Sequence, residues 1–367
     1  MKFAVYASGH GYGHLTRILE VVREIIRLHP SSAIHVRAPF TRERVQDFLG
    51  FPPTSHESVR MDVGLVQYDS LRHDHEASLQ RLRFFFGKDG NLLIKREAEW
   101  LHANGINAAL IDIPPHAFAA AHQAGIPSFG IGNFSWDSVW RDLAGEHPEY
   151  NRFADAASAF QSHAEVIFSG GMELGLESFR NVERVPLIAR RSSLSKAEAK
   201  GQLGFSIDRP VVLIAFGGEG LKGLVPPSDA LMRSYQFVAT PPLDNVHPDV
   251  RYLTERELTL LSFRYSDLVR AADVTILKPG YSTVAECAAN DTAVVIVPRI
   301  TFPEADIIQR YVEENLPSVT LPTEDFLAGR WDEAVNTLFA KRPFDFVNLQ
   351  TNGAAIVAQR ILERLRN

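Results

Sequence analysis

Cysteine is nearly missing from this chain: Cys287 is the sole thiol in 367 residues. One thiol forms no internal disulfide and no thiolate metal cluster, which points to a reducing compartment, the cytoplasm, rather than to secretion. Long apolar runs are missing too. The N-terminal run 3–7 is too short for a signal-peptide core, and no segment approaches the ~20 apolar residues of a membrane span. Nor is there an excess of basic charge. With 38 Lys and Arg against 44 Asp and Glu, the net charge is −6, so no global field draws nucleic acid or an anionic membrane surface. The sequence also has no Asp-x-Asp pair, no HExxH zinc signature and no Gly-Lys-Ser/Thr phosphate loop, so the expectation is no metal and no bound cofactor.

What remains is an ordinary globular composition, 45% apolar and 22% charged, which excludes disordered, collagen-like and coiled-coil chains. The length predicts two domains with ample buried core. Short Val- and Ile-rich runs alternate with segments of helical period, the pattern of a doubly wound parallel α/β sheet, and this happens twice. Strands are expected at 3–7, 33–37, 63–67, 108–112, 128–131 and 166–169, then at 211–216, 236–239, 274–277 and 293–297. The proline-containing stretch 184–193 separates the two sets, and a charged helical segment begins near Ser195. The expected division is 1–188, 189–346 and a closing amphipathic helix within 347–367, packing back on the first domain, with Gly353 as a possible break.

The first strand runs into Ser8-Gly-His-Gly-Tyr-Gly-His14, and Leu15, Ile18, Leu19, Val22, Ile25 and Ile26 then share one helical face. Gly9, Gly11 and Gly13 let the backbone turn sharply and let a ligand approach the helix N-terminus. The spacing is G-x-G-x-G, not the dinucleotide G-x-G-x-x-G, and a tight turn without a ligand has the same composition. His10 and His14 lie at the mouth of an open sheet, where ligands bind beyond the strand C-termini. Either takes a proton near neutral pH, or bonds only to loop backbone.

The second half repeats the device. Strand 211–216 runs into Gly217-Gly-Glu-Gly220, and strand 274–277 into Lys278-Pro-Gly-Tyr-Ser-Thr-Val-Ala-Glu286. Ser282 or Thr283 is the expected cap of a helix whose N-terminus suits a diphosphate. Glu286 then either accepts from ribose hydroxyls or closes a Thr283-x-x-Glu286 capping box. The run His73-Asp-His-Glu76 has ligand chemistry, but consecutive residues rarely aim at one centre, which favours a polar loop.

Two Rossmann-like halves, each opened by a glycine loop, resemble the GT-B glycosyltransferases, including the MurG-like and UDP-glycosyltransferase families. Five stretches are similar to something narrower, the N-terminal glycosyltransferase-like part of plant L-arabinokinases. They are 7–14, Glu97-Ala-Glu-Trp-Leu-His102, Asn133-Phe-Ser-Trp-Asp137, Val185-Pro-Leu-Ile-Ala-Arg-Arg191 and 278–286. In those proteins phosphoryl transfer belongs to a separate kinase domain with a Gly-Ser-Ser-rich phosphate loop. That segment is not found here, so kinase activity does not carry over.

The resemblance implies a GT-B architecture, two domains facing a central cleft, with a nucleoside-diphosphate sugar, UDP-linked, in the C-terminal domain. A small-molecule or glycan acceptor would lie against the N-terminal one. It implies that Gly217 and Gly218 belong to the donor phosphate loop and that Lys278, Gly280, Tyr281, Ser282 and Thr283 surround the diphosphate. Glu286 becomes the ribose carboxylate, and Glu304 with Asp306 holds donor-sugar hydroxyls. The base pocket falls near Arg251–Leu253.

In an inverting, metal-independent transfer His14 is the first-ranked base and His10 the second. Asp112 or Asp137 orients the imidazole or binds sugar, and Asn133 and Trp136 line the site. Trp136 either stacks on a sugar or belongs to the core. The rival readings are a nucleotide-sugar hydrolase or 2-epimerase on the same fold, and a non-catalytic sugar or nucleotide-sugar binding protein.

Overall fold

The computed structural model describes residues 1–68, 71, 73–216, 221, 223–240, 243, 247–299 and 302–366, the Glu255 side chain aside. Its strands in chain order begin with β1 (Lys2–Ala7), β2 (Ala33–Arg37) and β3 (Ser55–Glu57). Two short strands outside both large sheets follow, β4 (Val66–Gln67) and β5 (His73–Asp74). Next come β6 (Ala108–Asp112), β7 (Ser128–Ile131), β8 (Val166–Ser169) and β9 (Val182–Arg184). The second half supplies β10 (Val211–Ala215), β11 (Gln236–Ala239), β12 (Arg251–Tyr252), β13 (Val274–Leu277), β14 (Ala293–Ile296) and β15 (Ser318–Thr320).

Two parallel sheets result, ordered β3-β2-β1-β6-β7-β8-β9 and β12-β11-β10-β13-β14-β15. This is a GT-B fold built from doubly wound halves. The chain divides into two compact units. One comprises Met1–Val66, His73–Ile188 and Asn352–Asn367, the other Gln67–Arg72 and Ala189–Thr351.

The strands are apolar on both faces because helices cover both faces. In β1, Phe3, Val5 and Ala7 enter one core cluster while Ala4 and Tyr6 enter another on the opposite side. The helix Tyr12–Leu28 buries Leu15, Ile18, Leu19, Val22 and Ile25 in the first of these clusters. Burial of each such side chain stabilises by about 1.5–3 kcal/mol. In the second unit Val212, Ile214 and Phe216 of the 211–216 run meet Phe326 and Trp331.

Three expectations are corrected. The run 63–67 joins neither large sheet, because only Val66–Gln67 is extended. The closing helix spans Gly353–Arg364, so Gly353 opens it instead of breaking it, and Val347 lies outside it, 58% exposed. A β-carbon on Gly353 would stand 2.0 Å from the Pro186 carbonyl oxygen, so only glycine allows that backbone approach. Third, the helix after β13 spans Tyr281–Ala289 with Gly280 as N-cap and no side-chain cap. Neither Ser282 nor Thr283 caps it, and no Thr283–Glu286 capping box forms. Among the described residues no helix is long and apolar enough to cross a membrane.

Candidate active site

Each sheet reverses its strand order once, at β1/β6 and at β10/β13. Open α/β sheets bind ligands beyond the strand C-termini at such reversals. In the first unit the register sets Ala7 of β1 beside Asp112 of β6, so both strand ends open at one place. The turn after β1 carries the glycines. Gly9 is sterically required, since a β-carbon there would stand 2.6 Å from Pro39 Cγ and 2.7 Å from the Arg60 guanidinium. Gly11, extended at φ −178°, caps the next helix with no side-chain bond, and Gly13 lies in its first turn.

That first turn carries His14. Its Nδ1 lies 2.8 Å from Asp112 Oδ1, and both side chains are buried. Arg17, one helical turn on, donates from Nε to Asp112 Oδ2 and from Nη2 to Oδ1, each at 2.7 Å. A third donation goes to Asn133 Oδ1 at 2.7 Å, and Asn133 in turn donates to the Met172 carbonyl at 3.1 Å. Burial alone would raise the Asp112 carboxyl, but the Arg17 guanidinium and His14 outweigh it and hold the group below its ordinary range. The backbone also fixes Asp112. Ile113 follows it with φ 69°, an uncommon conformation for a β-branched residue, and is fully buried before Pro114.

A second buried carboxylate completes this cluster. Asp62 is 2% exposed and its Oδ2 accepts from Trp136 Nε1 at 2.8 Å. Burial pushes its carboxyl above the ordinary value, against hydrogen bonds from Ser8 and Trp136 and the charges of His14 and Arg60. His10 meets the Trp136 ring edge-on at 4.9 Å. Trp136 itself is fully buried and stacks on Trp140 at 6.0 Å, so it is a core ring that supplies an N–H rather than a face for sugar. Asp137 is held elsewhere, accepting from Ser135 Oγ at 2.5 Å and Ser178 Oγ at 3.2 Å, and burial raises its carboxyl. The carboxylate on His14 is therefore Asp112. Beside the glycine turn a pocket of about 400 Å³ is lined by Arg60, Val63, Gln80, Arg81, Phe84 and Phe85.

In the second unit Ala215 of β10 is in register with Leu277 of β13. Gly217 and Gly218, beyond β10, lie outside the described residues. Beyond β13, Lys278, Gly280, Ser282 and Thr283 are half-buried and Tyr281 is buried. Glu286 is 3% exposed and its Oε1 accepts from Arg190 Nε. Arg190 also lies over the Tyr265 ring at 5.5 Å, and its carbonyl accepts from Asn290 Nδ2 at 3.0 Å. Burial, and next the Glu286 charge, push the Tyr265 hydroxyl well above its ordinary range. Glu304 is buried at the start of the helix Ala305–Asn315, whereas Asp306 in its first turn is exposed. Near the expected base pocket, Arg251 donates to the Leu203 carbonyl and lies 5.1 Å over Phe205.

Sequence reasoning missed Arg17, Asp62 and Arg190. Arg17 had a signal, the i, i+3 spacing from His14 that puts both on one helical face. Asp62 lies in an irregular stretch without periodicity, and the partner of Arg190 is 96 positions away.

No family model matches the chain. It is 30% identical over 353 residues to an L-arabinokinase of Arabidopsis thaliana, covering 94% of this chain and 32% of that protein. The chain thus spans about a third of the length of that relative. Among solved structures it resembles a UDP-glucosyltransferase from Polygonum tinctorium, with TM-score 0.61 at 13% identity over 100% and 98% of the two chains. It also resembles a calicheamicin glycosyltransferase, with TM-score 0.59 at 15% identity over 99% and 98%. A third is a UDP-glucose:anthocyanidin 3-O-glucosyltransferase, with TM-score 0.56 at 12% identity over 99% and 94%. These likenesses show the GT-B fold.

Proposed function

We propose that this chain is a glycosyltransferase that moves a sugar from a nucleoside-diphosphate sugar, UDP-linked, to an acceptor hydroxyl, with inversion and without a metal. One observation carries the reading: at the strand reversal of the first unit, His14 is fixed through Nδ1 on a buried, ionised Asp112 at 2.8 Å. That bond sets the tautomer and leaves Nε2 as the basic nitrogen. The acceptor O–H gives its proton to His14 Nε2 as its oxygen bonds to the anomeric carbon. The bond from that carbon to the diphosphate breaks, and the nucleoside diphosphate leaves with the electron pair.

In the second unit the amides opening the helix Tyr281–Ala289 suit the diphosphate, and Glu286, held by Arg190, suits the ribose hydroxyls. Lys278, Gly280, Tyr281, Ser282 and Thr283 frame that helix start, and Glu304 is the buried acid for donor-sugar hydroxyls. The pocket beside Gly9 offers an acceptor the faces of Phe84 and Phe85 with Arg60 and Arg81 at its polar side. Support from the comparisons lies in the UDP-sugar enzymes that share the fold.

The test is a melting-temperature panel of nucleoside diphosphates and nucleotide sugars, followed by turnover with the sugar that shifts the transition. At 100 times Kd a ligand stabilises by about 2.7 kcal/mol. No shift by any nucleotide, with shifts by free sugars, overturns the reading.

A second reading has its own observation. Arg17 occupies both oxygens of Asp112, so the carboxylate is already neutralised and stabilises an imidazolium less than a lone one would. That arrangement suits a sugar or nucleotide-sugar binding protein without turnover. Tight binding with no product, unaltered by His14→Ala, selects it.

A further inference from the structure

The four residues of the run His73–Glu76 do not all face one centre. Asp74 caps the helix His75–Phe85, accepting from the Ala77 amide at 3.0 Å, and Glu76 pairs with Arg83 at 3.2 Å. His75 instead meets residues seventy positions further on. The turn after the helix Trp136–Leu143 brings up Glu146 and His147. One ring nitrogen of His75, one of His147 and one carboxylate oxygen of Glu146 all lie within 4.8 Å of one another. The two rings are 4.2 Å apart with planes tilted by 31°. His73 adds a third imidazole, its Nε2 3.0 Å from His75 Nε2. All of these groups belong to the first unit.

Two imidazoles and a carboxylate are the donor set of borderline divalent ions. Magnesium and calcium prefer oxygen alone, whereas zinc takes nitrogen and carboxylate oxygen in tetrahedral array. Zinc–ligand bonds of about 2.1 Å at tetrahedral angles put donor atoms about 3.4 Å apart. Donors already within 4.8 Å reach that spacing by small side-chain rotations. Glu146 is exposed and both histidines are half-buried, so an ion has access from solvent.

We propose that His75, Glu146 and His147 form a zinc site, with water or His73 in the fourth position. The ion ties the start of the helix His75–Phe85 to the 146–147 turn and takes no part in sugar transfer. The tag-free chain, dialysed against a chelator, is titrated with zinc in competition with a chromophoric indicator. One ion per chain at micromolar affinity or tighter is expected, with cobalt giving the visible bands of a tetrahedral site. His147→Ala and the exposed Glu146→Gln should each weaken binding about tenfold or more while their metal-free melting curves stay near wild type. His163→Ala, whose ring stacks on His122 at 3.6 Å, should bind as wild type does. Substoichiometric binding, binding untouched by the first two variants, or equal weakening by His163→Ala overturns the site.

Discussion

Two buried histidines of the first unit, His14 and His116, are polar groups inside the same apolar body with opposite chemistry. His116 is 1% exposed, its Nε2 donates to the Phe85 carbonyl at 2.9 Å, and its ring is packed by Phe85, Phe86 and Phe160. No carboxylate is among these neighbours, and burial lowers its titration to about 4. His14 is buried too, at 8% exposed, but a carboxylate holds its Nδ1. A histidine tied to a carbonyl among aromatics is a neutral packing group. A histidine tied to an ionised acid at a strand end is the one that the proposed transfer uses to move a proton.

The contrast breaks first at His14. Under the proposed transfer, His14→Ala should lower kcat by about 100-fold to 10,000-fold while the melting temperature changes little. Steady-state kinetics beside a thermal melt decides it, and a full-rate variant removes His14 as base. The mirror experiment is His116→Ala, which should lose about 2–4 kcal/mol of stability in urea unfolding while turnover per folded molecule is kept.

The pH dependence is a somewhat smaller effect. The unfolded chain protonates His116 near 6.5, and the native chain only near 4. Protons thus bind the unfolded state preferentially in that window. Stability is full above about pH 6.5 and falls as pH drops to about 4, by at most about 3 kcal/mol. Asp112 follows the same sign in a lower window: its folded carboxyl is also depressed, so its contribution is present above the ordinary carboxylate value and is lost as pH falls from there through the lower folded value. His116→Gln should remove the 6.5-to-4 slope seen in wild-type unfolding curves. The smallest expected effect is Glu286→Gln, which should weaken a nucleotide sugar about tenfold by calorimetry, with His14→Ala leaving that affinity unchanged.

Much of the fold was legible because strands buried on both faces are continuous apolar runs, and 33–37, 108–112, 166–169, 236–239 and 274–277 were read to the residue. Short strands such as Ser55–Glu57 and Arg251–Tyr252 carry no such run and were missed. At 63–67 the apolar composition was real, but Val63 and Leu65 are buried in irregular chain. Capping residues misled at Ser282 and Thr283 because Gly280 started the helix sooner. Around the site, His14 was visible as the histidine closing the glycine loop and Asp112 as a strand-end acid. The pairing of Arg190 with Glu286 depends on tertiary contacts that no local spacing encodes.

The composition of the first unit has a temporal consequence. The helix Gly353–Arg364 contributes Val357, Ala358, Ile361 and Leu362 to the same cluster as Leu15 and Ile18, yet it follows the entire second unit in the chain. During synthesis the segment that starts first is thus completed last, and its apolar flank waits for about 160 intervening residues to be translated. Protein cut short before Asn352 would emerge with that flank uncovered, a magnet for chaperones and aggregation.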